Sequence, residues 1–171
     1  MQYRAITFDG KSQIVKGFEM GRCDALTSDL SQLASLKLKL KNPNSFIILP
    51  EVISKEPLGP SVRQGDDQWF NIVKWTLIAM KNAEELGIDS SNASELKENG
   101  SIAQKRLLGT IGNHGKDIGL ENDWAYNIII QVGNYGEIFD KNVGKNSILK
   151  IDRGINKLWK DGGIHYGPPI I

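Results

Sequence analysis

The acidic side chain at residue 29 stands in a sequence context typical of a binding group. Asp29 ends the run GRCDALTSD, in which Thr27 and Ser28 place two hydroxyl groups beside the carboxylate. A carboxylate there can bind a cation such as an ammonium group, and this kind of hydrogen bond contributes roughly 1.5–3 kcal/mol when water is excluded. The same carboxylate can instead cap the helix that follows. Position alone supports both roles equally, and ordinary strand polarity equally explains Thr27 and Ser28. Asp24, earlier in the run, is expected to bond nearby backbone.

The elements around Asp29 predict a βαβ unit. Residues 2–8 mix Tyr, Ile, Thr and Phe and are typical of a strand. Residues 11–20 carry apolar side chains at helical spacing, and Gly21 is a suitable C-terminal cap for that helix. A second strand then leads to Asp29, and a strand, helix, strand order predicts parallel strands with a right-handed crossover. Ligands of open α/β sheets bind beyond the carboxyl ends of the strands, where Asp29 lies.

The rest of the chain alternates helical patterns with short loops. A long helix is predicted to begin at Asp66 and Asp67 and to end at Gly87. Short extended segments are expected at 46–49 and 58–62, a loop at 109–119, and an extended tail after Gly162. Further helices are predicted over 30–40, within 93–108, and over 123–132 (capped by Asn122 or Asp123), 133–139 and 151–159. The predicted fold class is α/β.

Composition and charge exclude several classes of function. The chain has 171 residues, of which 40% are hydrophobic and 24% charged, as in ordinary globular proteins. A net charge of +1 argues against nucleic-acid binding, and no segment approaches the roughly 20 apolar residues of a membrane span. The N-terminus lacks a basic start with an apolar core, which taken alone favours the cytoplasm.

No catalytic or metal-binding pattern is found, and no cofactor is predicted. His114 and His165 are far apart, and Cys23 is the single cysteine, so neither a zinc signature nor a nucleophile motif is formed. The stretch 109–117 superficially suggests a phosphate loop. Its glycine spacing is wrong, and Asp117 replaces the required Ser or Thr.

Four blocks of the sequence carry a resemblance to a known family. They are GRCDALTSD at 21–29, ISKEPLGPSVRQGDDQWFNIVKW at 53–75, GLENDWAYNIIIQVGNYGEIF at 119–139 and INKLWKDGGIHYGPP at 155–169. These blocks resemble the amino-acid-binding proteins that feed ABC importers, in particular the general L-amino-acid-binding branch, and they cover nearly the whole chain in the family's order. Family members are about twice as long, and residue 1 corresponds to a point well inside their second lobe. The resemblance therefore implies the C-terminal half of such a protein, made by cloning or by a truncated gene.

The resemblance implies an incomplete periplasmic-binding-protein-like (type II) lobe with a C-terminal helical extension. It implies a noncatalytic function, in which the intact protein captures an L-amino acid and delivers it to permease subunits of an ABC transporter. Location in the periplasm follows, with the signal sequence upstream and membrane contact only through the permease. The implied segments are 1–53 in the second, ligand-binding lobe, 54–65 in the interlobe crossover, 66–144 in the first lobe and 145–171 in the helical tail.

The resemblance also implies roles for individual residues. The last Asp of the family motif G-R-x-D-A-x-x-x-D binds the α-ammonium of the ligand, and Asp29 occupies that position. Thr27 and Ser28 would then line the pocket. Glu56 and Lys55 lie at the crossover and either contribute to the cleft wall or hinge or belong to a solvated turn, which is slightly favoured for Lys55. The groups that bind the ligand carboxylate lie upstream, so the isolated chain is predicted to bind amino acids feebly or not at all.

Two other functions stay open from the residues. One is an α/β enzyme that uses Asp9 and Asp29 at strand ends with a metal ion, although no further ligands stand at credible spacing. The other is a protein-interaction module, because missing strands would leave sheet edges and apolar surface uncovered and favour self-association or domain swapping.

Overall fold

A computed structural model describes residues 2–54 and 57–170, and the chain divides into two compact units. Unit 1 is Met1–Leu58 and unit 2 is Gly59–Ile171. The division lies inside the segment predicted to be the crossover, 54–65. The assignment of these segments to lobes stays a prediction.

Unit 1 contains two helices, α1 (Lys11–Glu19) and α2 (Leu30–Lys37), and a 3-10 turn at Pro43–Ser45. Helix α1 ends in a Schellman motif, because Gly21 adopts a φ of +68°. The amides of Gly21 and Arg22 donate to the carbonyls of Phe18 (3.0 Å) and Gly17 (2.9 Å). Both helices and the glycine cap were predicted, and α2 ends slightly earlier than expected.

Few contacts hold unit 1 together. The ring of Phe8 lies against α1 at Gly17, where a Cβ atom would come within 2.6 Å of the ring. The rings of Phe18 and Phe46 lie 5.0 Å apart. The side chains that unit 1 buries most completely belong to α2 and the residues that follow it, and they are Ala34, Leu36 and Leu40. This is a small core.

The predicted βαβ unit does not form a sheet. No β-strand occurs within residues 2–54 and 57–170, so the segments 2–8, 21–28, 46–49 and 58–62 are neither helical nor paired. Tyr3 is 84% exposed. A strand requires a neighbour that completes its ladder of hydrogen bonds, and the described part of the chain offers none to these segments. The strand prediction is therefore corrected here, and the α/β class stays a prediction.

Unit 2 is helical. Its long helix α3 packs against α5, α7 and α8, while α4 packs against α5 and α7. The helices are α3 (Asp67–Glu85), α4 (Ala93–Asn99), α5 (Ile102–Leu107), α6 (His114–Asp117), α7 (Trp124–Val132) and α8 (Tyr135–Asn142). Two 3-10 turns follow at Gly154–Asn156 and Trp159–Asp161.

The core of unit 2 lies between α3, α4, α5 and α7. Ala79 and Ala83 on α3 are fully buried, and their small side chains allow the neighbouring helices to approach closely. Gly87, at φ +69°, ends α3 in a second Schellman motif, in which the Ile88 amide donates to the Ala83 carbonyl at 2.8 Å. The largest fully buried side chains here are Ile88, Leu108, Ile129 and Leu158.

Side-chain caps set where several helices begin. Asp66 accepts a hydrogen bond from the Trp69 amide at 2.9 Å and so begins α3, as predicted. Helix α8 begins with a capping box in which Asn134 and Glu137 bond each other's amides. Helix α7 begins after Asp123, as expected, but no side-chain cap bond is formed there.

The C-terminal segment differs most from its helical prediction. The helix predicted over 151–159 is replaced by the two 3-10 turns, because Gly154 adopts a φ of +47° and Lys157 is extended. Leu158 instead forms a single parallel bridge with His165. The predicted loop 109–119 likewise contains the one-turn helix α6.

Candidate functional site

Asp29 lies immediately before α2, at its N-cap position. Its backbone carbonyl accepts a hydrogen bond from Leu33 at 2.9 Å, whereas its side chain makes no cap bond. Within residues 2–54 and 57–170 the carboxylate takes part in no ion pair either. Asp29 is half-buried. The carboxylate is therefore not occupied by the capping role that the sequence left open, and the positive end of the α2 dipole favours a negative charge there.

The two neighbouring hydroxyl residues share the loop with Asp29. Thr27 and Ser28 are both exposed, as is Asp24 earlier in the same loop. The structure thus places Thr27, Ser28 and Asp29 together before α2. Glu56 and Lys55 lie outside the described residues, so their predicted place in the cleft wall or turn is not tested.

Two residues that the sequence analysis did not single out position the loop. The guanidinium of Arg22 lies 5.6 Å from the centre of the Phe8 ring, within range of a cation–π interaction. Phe8 in turn packs on Gly17 of α1. This contact fastens the start of the Asp29 loop to α1. Two features of the sequence could have indicated this contact, namely an arginine within the motif and an aromatic residue at the end of the segment before α1.

A polar cluster in unit 2 joins the C-terminal segment to α3 and α8. Arg153 donates to the Glu84 carboxylate at 2.7 and 3.2 Å and to the carbonyl of Asn156 at 2.7 Å. Tyr135 and His165 approach within 3.3 Å. Burial raises the pKa of Tyr135, and burial together with the nearby Lys81 and Arg153 lowers the pKa of His165. The cluster is explained by packing of the C-terminal segment, and no sequence spacing indicated it.

Known proteins similar to this chain are binding proteins of ABC transporters. YhdW of Escherichia coli strain K12, named as an amino-acid ABC transporter-binding protein, is 58% identical over 171 residues. The general L-amino acid-binding periplasmic protein AapJ of Rhizobium johnstonii is 55% identical over 172 residues. The chain is a homologue of the amino-acid ABC transporter-binding proteins. No protein-family model matches it.

This homologue spans about half the length of the relatives it matches. The matches cover 99% of this chain and 50% of YhdW or AapJ. A solved structure agrees, namely the ABC transporter/periplasmic binding protein from Brucella ovis with glutathione bound. It superposes with a TM-score of 0.91 at 47% identity and is covered to 53% of its length. The fold is therefore that of part of a periplasmic binding protein.

Two further findings bear on function. In the described part of the chain, no three His, Cys, Asp or Glu side chains lie close enough to hold a metal ion. No helix among residues 2–54 and 57–170 has the length and apolar character needed to cross a membrane.

Proposed function

We propose that this chain contributes the ammonium-binding carboxylate, Asp29, to an amino-acid-binding site. In a protein of the relatives' full length, that site captures L-amino acids and delivers them to the permease subunits of an ABC transporter. The observation that carries this proposal is the half-buried side chain of Asp29, which lies just before α2 and makes no cap bond to it. The chain that contains Asp29 is 55% identical to AapJ. Thr27 and Ser28 line the same pocket, and Glu56 forms part of its wall.

The finer features of the family form part of the same proposal. These are the type II α/β architecture, with 1–53 in the ligand-binding lobe, a location in the periplasm and the absence of catalysis. The 0.91 superposition on a periplasmic binding protein supports the architecture. The periplasmic location and the binding role are supported by similarity to AapJ, a general L-amino acid-binding periplasmic protein.

The proposed ligand class is defined by a free α-ammonium group. The Brucella ovis protein holds glutathione, whose γ-glutamyl end carries the same ammonium and carboxylate pair as a free amino acid. A site built around Asp29 binds that shared end, because the Asp29 carboxylate contacts the ammonium group of the ligand. Other residues then contact the side chain of the ligand. Amino acids and γ-glutamyl peptides are therefore expected to compete.

The test replaces the matching half of AapJ with this chain and measures binding of L-amino acids and glutathione by calorimetry. Asp29→Asn removes the charge at nearly constant shape, and affinity should fall about tenfold to a hundredfold, because a charge-assisted bond contributes roughly 1.5–3 kcal/mol. Asp24→Asn, in the same exposed loop, is the matched control and should bind normally. Unchanged affinity of the Asp29→Asn chimera contradicts the assignment.

The proposal also divides the binding site between this chain and the other half of its relatives. Titration of the isolated chain with the same ligands should therefore give little heat, since the groups that bind the ligand carboxylate lie elsewhere. Tight binding by the isolated chain would show that the site is not divided.

Self-association is a second candidate function, favoured by the apolar surface of unit 1. Ile47, Val52 and Ile53 are each at least 79% exposed. Large apolar side chains that a unit leaves uncovered are candidates for contact with another chain. Size-exclusion chromatography with light scattering distinguishes this candidate, and a strict monomer across a range of concentrations counts against it.

A further inference from the structure

The loop that joins α5 to α7 borders a small cavity inside unit 2. The other walls of the cavity come from the end of α5, from Trp124 at the start of α7 and from Ile170 near the end of the chain. The space open to the centre of a water molecule is about 10 Å³. On this measure a cavity needs roughly 10–15 Å³ to hold one water molecule. The cavity therefore has the size of a single water.

Two glycines fold the loop tightly around this cavity. Gly109 and Gly112 both line it, and their φ angles are +83° and +89°, in the region that favours glycine. A Cβ atom at Gly112 would lie 2.6 Å from Nε2 of His114, so the imidazole lies directly against the backbone there. A Cβ atom at Gly109 would clash with the carbonyl oxygen of Asn122. The loop thus brings His114 and Asn122 to the same cavity.

Two buried polar atoms at this cavity have no hydrogen-bond partner. They are Nε2 of His114 and Oδ1 of Asn122, and neither makes a hydrogen bond to any atom of residues 2–54 and 57–170. The amide nitrogen of Asn122 donates to Oδ1 of Asn113 at 3.0 Å, which leaves the oxygen as the free end of that side chain. A buried polar atom without a partner costs free energy, so such atoms in folded proteins are nearly always bonded to protein or to ordered water.

We propose that this cavity binds one internal water molecule, which bridges the side chains of His114 and Asn122. The water donates a hydrogen to Oδ1 of Asn122, because an amide oxygen can only accept. Its bond to Nε2 of His114 is donated or accepted according to which imidazole nitrogen carries the hydrogen.

The lining of the cavity distinguishes water from a metal ion. Among the residues that the structure places around the cavity, His114 is the single His, Cys, Asp or Glu, and the cationic Arg106 is also present. Metal sites use several such ligands, whereas a water molecule needs two to four polar partners. Ile170 lines the cavity and also packs against the core of unit 2. The bound water therefore belongs to the interior of unit 2, and the inference does not depend on an amino-acid ligand.

The experiment combines a high-resolution crystal structure of this chain with ¹⁷O relaxation dispersion, which counts long-lived internal waters in solution. The crystal structure should show an ordered water at about 2.7–3.2 Å from both atoms. The double variant His114→Phe, Asn122→Leu removes both polar partners at similar size. Because apolar cavities stay dry, its number of long-lived waters should fall by one. Asp117→Asn, exposed on α6 and outside the cavity lining, is the control and should keep the wild-type number.

Three results would overturn the proposal. One is a crystal structure in which the two atoms bond directly to each other or to other protein atoms. Another is a wild-type cavity without an ordered water. The third is an unchanged number of long-lived waters in a folded double variant. If the double variant does not fold, the wild-type crystal structure still decides between a bound water and a dry cavity. None of these readouts involves amino-acid binding, so they are separate from the test of Asp29.

Discussion

The two units differ in how completely each buries its own apolar residues. Unit 2 fully buries Ile88, Leu108 and Ile129 between its helices. Unit 1 buries Ala34, Leu36 and Leu40, while residues such as Tyr3 and Ile47 stay largely exposed. A helix satisfies its own backbone and needs a partner for one face alone, whereas a strand also needs neighbours for its backbone. The described segments of unit 1 outside its helices have no such neighbours, and this is consistent with their exposure.

This comparison bears directly on the proposed function. Asp29 lies in unit 1, whose small core is formed by Ala34, Leu36 and Leu40. The proposed ligand contact therefore lies in the unit with the smaller buried core.

Ile129→Ala should destabilise unit 2 most. Ile129 is fully buried in the core, and truncation to Ala leaves a cavity that costs about 2–5 kcal/mol. Trp69, Trp75, Trp124 and Trp159 all belong to unit 2, so urea unfolding followed by tryptophan fluorescence reports on this unit. Ile130→Ala, at a neighbouring site that is 38% exposed, should shift the transition much less. Equal shifts would show that unit 2 lacks the well-packed core described above.

Arg153→Met should release the C-terminal segment from α3. The variant loses the paired hydrogen bonds to Glu84 and the bond to the Asn156 carbonyl, so about 2 kcal/mol of stability is expected to be lost. The control is Lys145→Met, which removes an ion pair to Asp140 whose lysine is 76% exposed. Exposed pairs contribute about 0.2–1 kcal/mol. If the two variants have the same unfolding midpoint, the result would argue against a stabilising role for the Arg153 cluster.

Amide hydrogen exchange should separate the two units directly. Amides of α2 are expected to exchange roughly tenfold or more faster than those of α3, corresponding to at least about 1.4 kcal/mol, because local opening of unit 1 exposes little buried surface. Mass spectrometry of peptides from 30–37 and 67–85 measures the difference. Equal protection in the isolated chain would contradict the contrast between the units.

The smallest effect is a loss of stability in mild acid. Burial, aided by Lys81 and Arg153, lowers the pKa of His165 in the folded state below its ordinary value of 6.5. The unfolded chain therefore binds more protons, and stability should fall as the pH drops through 6.5 and level off below the folded-state pKa. His165→Gln should flatten this slope between pH 7.5 and 5.5. If the stability of His165→Gln falls with pH as steeply as that of the wild type, other groups are responsible for the effect.

The helices were predicted well from local signals. Apolar spacing and terminal residues such as Asp66 and Gly87 placed α3, and Gly21 correctly marked the end of α1. These signals act within a few residues, so the sequence carries them explicitly. The helix predicted over 151–159 failed because Gly154 adopts a positive φ and because Arg153 is fastened to Glu84, sixty-nine positions away.

The site was predicted in part. The four blocks of sequence pointed to amino-acid ABC transporter-binding proteins, to which the chain is similar. The structure shows that the Asp29 carboxylate does not cap α2, a choice that position alone left open. The contact of Arg22 with Phe8 was missed, because it joins two segments separated by a helix.

Local patterns in the sequence were enough to predict helices such as α1 and α3, together with their ends at Gly21 and Gly87, since each depends on residue types at short spacing. Tertiary structure decided which segments are paired, which apolar residues are covered and which carboxylate is left free. Those properties depend on residues that are distant in the sequence and that folding brings into contact. A local sequence pattern does not show whether such a residue is present.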